Sequence, residues 1–222
     1  AKLSTLISKD IDILEKANLY AIIDFRDPKE IKKAPDNLSP NLSKKYVNLP
    51  ISASTLERMV TQKNIEGDNI NTYEKVMEAS YKLYINEHKH IWKEFINILL
   101  NSNKKPVIFH CTAGKDRTGI ASFIIQKILD NPMDEIYKNY LLSNNLLTIK
   151  AATAEQTTTS KSNDNLVTDI MLETLAKVKK SYLLSAINQI KLKHQSLEGY
   201  LIKGLGFKHS DIIQLKKLYC FE

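Results

Sequence analysis

Cys111 and Arg117 stand with five residues between them in the decapeptide HCTAGKDRTG, residues 110–119, and they are one of two cysteines and one of three arginines in the chain. A thiolate is a strong nucleophile, and a guanidinium is a planar, permanently charged fork that can hold two phosphate oxygens and follow them into a transition state. A loop carrying both can attack a phosphate and clamp it. Gly114 and Gly119 allow the backbone angles and close approach of an anion cradle, which Thr112, Ala113, Lys115 and Thr118 would complete. Thr118 can donate its hydroxyl to the sulfur. Asp116 is a candidate to protonate the departing oxygen as a general acid. His110 either orients the loop from the core or tunes the thiol.

Such a cradle needs a strand to deliver it and a helix to put a positive end behind it. VIFH, residues 107–110, is a short β-favouring run, and GIASFIIQKIL, residues 119–129, places Ile120, Ile124 and Ile128 on one helical stripe. The positive field of that junction is expected to ionise Cys111 at neutral pH. YAIIDF, residues 20–25, predicts a second buried strand. Asp24 and Arg26 lie at its carboxyl end, as a structural ion pair or as part of the site.

The remaining pattern is mostly helical. A short helix is expected within 4–18, ending at Asn18, then a breaker-rich loop at KAPDNLSPN and a strand around YVNLP. Residues 72–101 predict one long helix or two in succession, with Tyr73, Tyr81 and Tyr84 as packing residues. The polar, threonine-rich stretch 150–165 predicts a mobile loop or insertion, and 143–181 a candidate lid around it. Helical spacing resumes over 169–194 and 210–221, separated by EGYLIKGLGF, whose glycines mark a tight connection. The alternation predicts an α/β fold: a central, mostly parallel sheet flanked by helices, with a helical C-terminal half, in one domain spanning 1–222.

With 222 residues, 43% apolar and 26% charged, the chain can bury the core of one globular domain. No run of eighteen apolar residues occurs. The net charge of +7 comes almost entirely from lysine. That excess is a solvated surface or, if it converges on one face, an attraction for phosphorylated substrates or an anionic membrane. Scarce arginine argues against base-specific nucleic-acid binding. Two cysteines cannot build a disulfide scaffold, so Cys111 is expected as a free thiol and Cys220 as a packing residue.

HCTAGKDRTG resembles the cysteine signature loop of the protein tyrosine phosphatase superfamily, His-Cys, five residues, then Arg-Thr or Arg-Ser. Its GKDRTG form is similar to the atypical bacterial tyrosine/serine phosphatases, several of which are secreted by pathogens and also hydrolyse phosphoinositides. IIDFRDPKE resembles that family's DLR…E segment, VNLPI its next strand, and SLEGYLIKGLGFKHSDIIQLKK its GYL…LG region. The resemblance implies a phosphatase fold in which Cys111 forms a cysteinyl-phosphate while Arg117 and the loop amides hold the oxygens. It implies no metal or other cofactor, and a phosphorylated protein or phosphoinositide as substrate. Lys115 matches the extra basic residue associated with broader substrates, and Asp116 the candidate acid within the loop. No WPD-type loop lies upstream, so the acid stays open between Asp116, Asp24 and another residue. The family's NFRD-GG segment does not precede Ser4, so the start reads as truncated or divergent, and export stays open. The rival reading is a catalytically weak module that binds phosphoinositide or phosphoprotein.

Overall fold

Strands buried on both faces need continuous apolar runs, and Ala21–Asp24 (β1) supplies one in which every residue is buried. The computed structural model describes residues 1–52, 70–146 and 174–220. In it β1 is the central strand of a parallel sheet, with Tyr46–Asn48 (β2) on one side and Val107–His110 (β3) on the other. The register sets Asp24 opposite Asn48 across one edge and opposite His110 across the other. The carboxyl ends of β1 and β3 therefore finish level, and Cys111 is the next residue, at the edge where parallel sheets bind ligands.

Ser8–Lys16 (α1) is followed by Asn18 at φ +49°, the left-handed helix end expected there. The stretch after β1 differs from expectation, because two helices stand among the prolines: Pro28–Lys33 (α2) and Pro40–Ser43 (α3). Pro28 and Pro40 each open a helix instead of breaking one, since the first helical position needs no N–H. Asp27 accepts from the N–H groups of Lys29 and Glu30, the Glu30 carboxylate returns to the Asp27 N–H, and Ser39 caps Leu42.

The long helical pattern resolves into Ile70–Glu87 (α4) and Lys89–Leu100 (α5), which meet at His88. Trp92 Nε1 donates to the Tyr84 carbonyl at 2.8 Å across the joint. Phe25, Trp92, Phe95 and Phe109 interlock with ring centroids 5.4–6.4 Å apart, so α5 and the sheet share one aromatic core.

Arg117–Ile128 (α6) continues from the cysteine loop, and Met133–Leu141 (α7) and Ser143–Leu146 (α8) follow. The stretch 150–165, read as a loop or insertion, lies outside the described residues, as does most of the candidate lid. Helical spacing over 169–194 is interrupted at 177–179 before Lys180–His194 (α9) begins. EGYLIKGLGF is helical as well, where a tight connection was expected: Leu197–Gly199 (α10) passes into a π-helical turn at Tyr200–Gly204, and the left-handed residue is Gly206 at φ +82°. That turn buries Tyr200, whose hydroxyl donates to the Ile85 carbonyl at 3.0 Å. His209–Tyr219 (α11) closes the described chain, and Cys220 is exposed, not packed as the sequence suggested. Among the described residues no helix is long and apolar enough to cross a membrane.

Candidate active site

Cys111 leaves the end of β3 buried, at 3% exposure, with a free thiol. The Thr118 hydroxyl, from the first turn of α6, donates to its Sγ at 3.2 Å. Between them the chain turns tightly, and among the described residues the backbone N–H groups of 113–117 meet no protein acceptor. Uncapped amides at the start of a twelve-residue helix are what an oxyanion requires.

Gly114 makes the turn at φ +75°. A side chain there would also place Cβ 2.3 Å from the backbone nitrogen of Ala1, because the chain's first residues run along the loop and the Lys2 N–H donates to the Thr112 carbonyl. Gly114→Ala is expected to cost about 1–2 kcal/mol in left-handed strain and to weaken vanadate inhibition by roughly 10-fold as an amide leaves the cradle. Urea unfolding and the inhibition constant measure the two effects.

Arg117 is buried and its guanidinium is spoken for on one side only. Nη1 and Nη2 donate to the two Glu30 oxygens at 2.6 and 2.7 Å, and Nη1 also reaches the carbonyls of Phe25 and Ile51 at 3.3 and 3.1 Å. Of the five guanidinium protons this leaves Nε–H and the second Nη2–H without an acceptor among the described residues. Those two form the side-on fork that matches a pair of phosphate oxygens. Burial by itself lowers the guanidinium pKa, but the Glu30 hydrogen bonds and the charges of Cys111 and Glu30 more than offset this and raise it above the ordinary value.

Glu30 ties three pieces of the site together. It caps α2, grips Arg117 and accepts the Thr112 hydroxyl from the cysteine loop. Burial pushes its carboxyl up, yet the Arg117 hydrogen bond and charge, with Thr112 and the Asp27 amide, bring it from 4.5 down to about 2. A carboxylate with a depressed folded pKa stabilises the fold above its unfolded value, and that support is lost as pH falls from about 4.5 towards 2. The contribution at neutral pH is about 3 kcal/mol. Urea midpoints between pH 6 and pH 2 are expected to fall more steeply in the wild type than in Glu30→Gln, which starts lower.

Asp24 and Arg26, weighed above as ion pair or site residues, form a fully buried pair behind the loop. Arg26 Nε and Nη2 donate to Asp24 at 2.8–3.0 Å, Nη1 donates to the Ala34 carbonyl at 2.7 Å, and the Tyr46 hydroxyl donates to Asp24 at 2.8 Å. Asp36 joins them 2.8 Å from Arg26. His110 sits against this cluster, its Nε2 3.1 Å from Asp36 although not aligned for a hydrogen bond, and its Nδ1 3.3 Å from the Cys111 carbonyl. Burial raises the Asp36 carboxyl, but His110, the Leu3 amide and Arg26 bring it below the ordinary value. Asp24, Asp36 and His110 have the donor set of a metal site, but Arg26 Nη2 lies 2.8 Å from both carboxylates, so a cation already stands there. Their place is behind the strand ends that hold the loop.

Asp116 and Lys115 lie on the other wall. Lys115 Nζ donates to both Asp116 oxygens at 2.7 and 3.0 Å, and the Tyr81 hydroxyl donates to Asp116 at 2.8 Å. Tyr81 and Tyr84 pack in the core as their spacing suggested, yet Tyr84 also lies in the combined field of Arg117, Asp116, Cys111 and Glu30, and with burial leading, its pKa is raised. A tyrosine at helical spacing carries no sign of which carboxylate its hydroxyl will meet. Glu30 had a visible sign, since D-P-K-E is a capping box and Glu30 is the acid of the quoted DLR…E segment.

The family model described as the tyrosine phosphatase family matches residues 1–221. A protein of Cupriavidus necator named as a tyrosine-protein phosphatase is 26% identical over 210 residues, covering 95% of this chain and 73% of its own. The triple specificity protein phosphatase of Mycobacterium tuberculosis is 21% identical over 242 residues, 97% of this chain and 87% of its own. An inositol diphosphatase of Saccharomyces cerevisiae shares 28% over 71 residues, 32% of this chain and 25% of its own. With the match running from end to end, this chain belongs to the tyrosine phosphatase family and is a phosphatase of the protein tyrosine phosphatase type.

Proposed function

We propose that the chain hydrolyses phosphomonoesters through a cysteinyl-phosphate on Cys111, with phosphotyrosine as a substrate and phosphoserine and phosphoinositides within its range. The observation that carries this reading is the unfilled side-on fork of Arg117, set by Glu30 in the field of Cys111. Cys111 Sγ attacks phosphorus, the S–P bond forms and the ester P–O bond breaks. The departing oxygen takes a proton from Asp116. Water then attacks phosphorus, the S–P bond breaks, and Asp116 recovers a proton from that water. Charge developing on the equatorial oxygens falls on the Arg117 fork and the amides of 113–117, while Thr118 steadies the sulfur as it leaves.

The breadth of substrate rests on Lys115, a buried ammonium beside the cradle, together with the names of two relatives, one a triple specificity protein phosphatase and one an inositol diphosphatase. The test is phosphate release from a phosphotyrosine peptide, a phosphoserine peptide and a phosphoinositide on one preparation, with Cys111→Ser as the control. Release from phosphotyrosine and at least one other substrate, all abolished in the control, supports the reading. Turnover that survives in the control overturns it.

A further inference from the structure

Asp116 is held by a hydrogen-bond chain that comes from two other parts of the fold. The Tyr81 hydroxyl, from α4, donates to Asp116 Oδ1 at 2.8 Å, and the Tyr140 hydroxyl, from α7, lies 2.7 Å from that of Tyr81. A phenol has one proton. Tyr81 spends its own on Asp116, so Tyr140 must be the donor to Tyr81, and the chain runs one way from Tyr140 through Tyr81 to the carboxylate. Both rings are fixed: Tyr81 is fully buried and packs against Tyr84, Tyr140 and Tyr182 with centroids 5.9–6.5 Å apart.

Gly119 explains how α7 comes close enough. A Cβ at Gly119 would stand 2.9 Å from Cε2 of the Tyr140 ring, so the missing side chain in the first turn of α6 is the space that ring occupies. The glycine that ends HCTAGKDRTG thus seats the far end of the chain that holds its aspartate. Among the described residues, the charged and titratable groups facing Asp116 are Lys115 from the loop, Tyr81 and Tyr84 from α4, Tyr140 from α7 and Tyr182 from α9.

We propose that Tyr81, locked by Tyr140, is a positioning residue that aims the Asp116 carboxyl for proton transfer at the phosphate. The inference rests on the reading of Asp116 as the proton-transfer group. It makes Asp116 depend on three elements, the loop, α4 and α7, where Lys115 alone would hold the carboxylate only from within its own loop.

The experiment measures kcat/KM of Tyr81→Phe on aryl phosphates from 4-nitrophenyl phosphate to phenyl phosphate. Loss of an aligned donor is expected to lower the rate about 10-fold for phenyl phosphate, whose leaving oxygen needs the proton, and less than about 2-fold for 4-nitrophenyl phosphate, whose leaving oxygen does not. The basic limb of the pH profile should move upward, because the charged carboxylate loses a hydrogen bond. Tyr140→Phe is expected to show the same pattern at smaller size, and it carries the test alone should Tyr81→Phe fail to fold. In an Asp116→Asn background Tyr81→Phe should remove nothing more. Equal losses for every leaving group, an unmoved basic limb or a further loss in that background would overturn the proposal. A fully active Asp116→Asn or Cys111→Ser would instead overturn the reading of the site on which it stands.

Discussion

Cys111→Ser is expected to lower phosphotyrosine turnover by on the order of 10⁴-fold or more, about 5 kcal/mol of lost transition-state stabilisation, while phosphate and vanadate still bind. The asymmetry follows from how the site is built. In the proposed mechanism the sulfur supplies the new bond to phosphorus, and a serine hydroxyl does not replace a thiolate there because an alcohol is far less acidic than a thiol and stays protonated. The oxyanion contacts belong to other atoms, the amides of 113–117 and the side-on fork of Arg117, and none of these depends on the sulfur. Turnover of a phosphotyrosine peptide and vanadate binding by titration read the two halves separately. A phosphoenzyme trapped by acid quench should appear in the wild type and not in the variant.

Arg117→Lys is expected to cost roughly 10³-fold in kcat with a much smaller change in KM. The charge survives, so Glu30 still has a cation to pair with. What disappears is the second fork, since an ammonium cannot hold the Glu30 oxygens end-on and two phosphate oxygens side-on at once. The phosphate contacts shorten as charge develops on the oxygens, so their loss falls on kcat. Glu30→Gln, which keeps the guanidinium but loosens its aim, is expected to lose about 10-fold. Steady-state kinetics of the two variants side by side checks the ordering, and an Arg117→Lys enzyme no slower than Glu30→Gln would contradict it.

The strands and the helix around the loop could be read without the structure because each is a local pattern. VIFH and AIID are apolar runs of strand length, and the isoleucine stripe of 119–129 has a helical period. The helices at 28–33 and 40–43 were also written locally, in D-P-K-E and S-P-N-L, but proline says both "break" and "begin", and only the capping side chains decide between them. The division of 72–101 at His88 and the break at 177–179 are settled by what those helices pack against, which a period of 3.6 does not describe.

By itself the sequence determined which candidate groups stand together: Cys111, Arg117, Asp116 and Thr118 share one short stretch, so neighbours along the chain are neighbours in space and their spacing is already geometry. Only the tertiary structure decided how those groups are aimed. Glu30 grips Arg117 from 87 residues away, Tyr81 reaches Asp116 from 35 and Tyr140 reaches Tyr81 from 59, because the parallel register of β1 and β3, the packing of α7 on α6 and the packing of α4 on α9 bring those side chains together. Contacts across such separations leave no periodic trace in the chain. They come from the burial of apolar faces, which places each polar tip wherever its helix or strand happens to carry it.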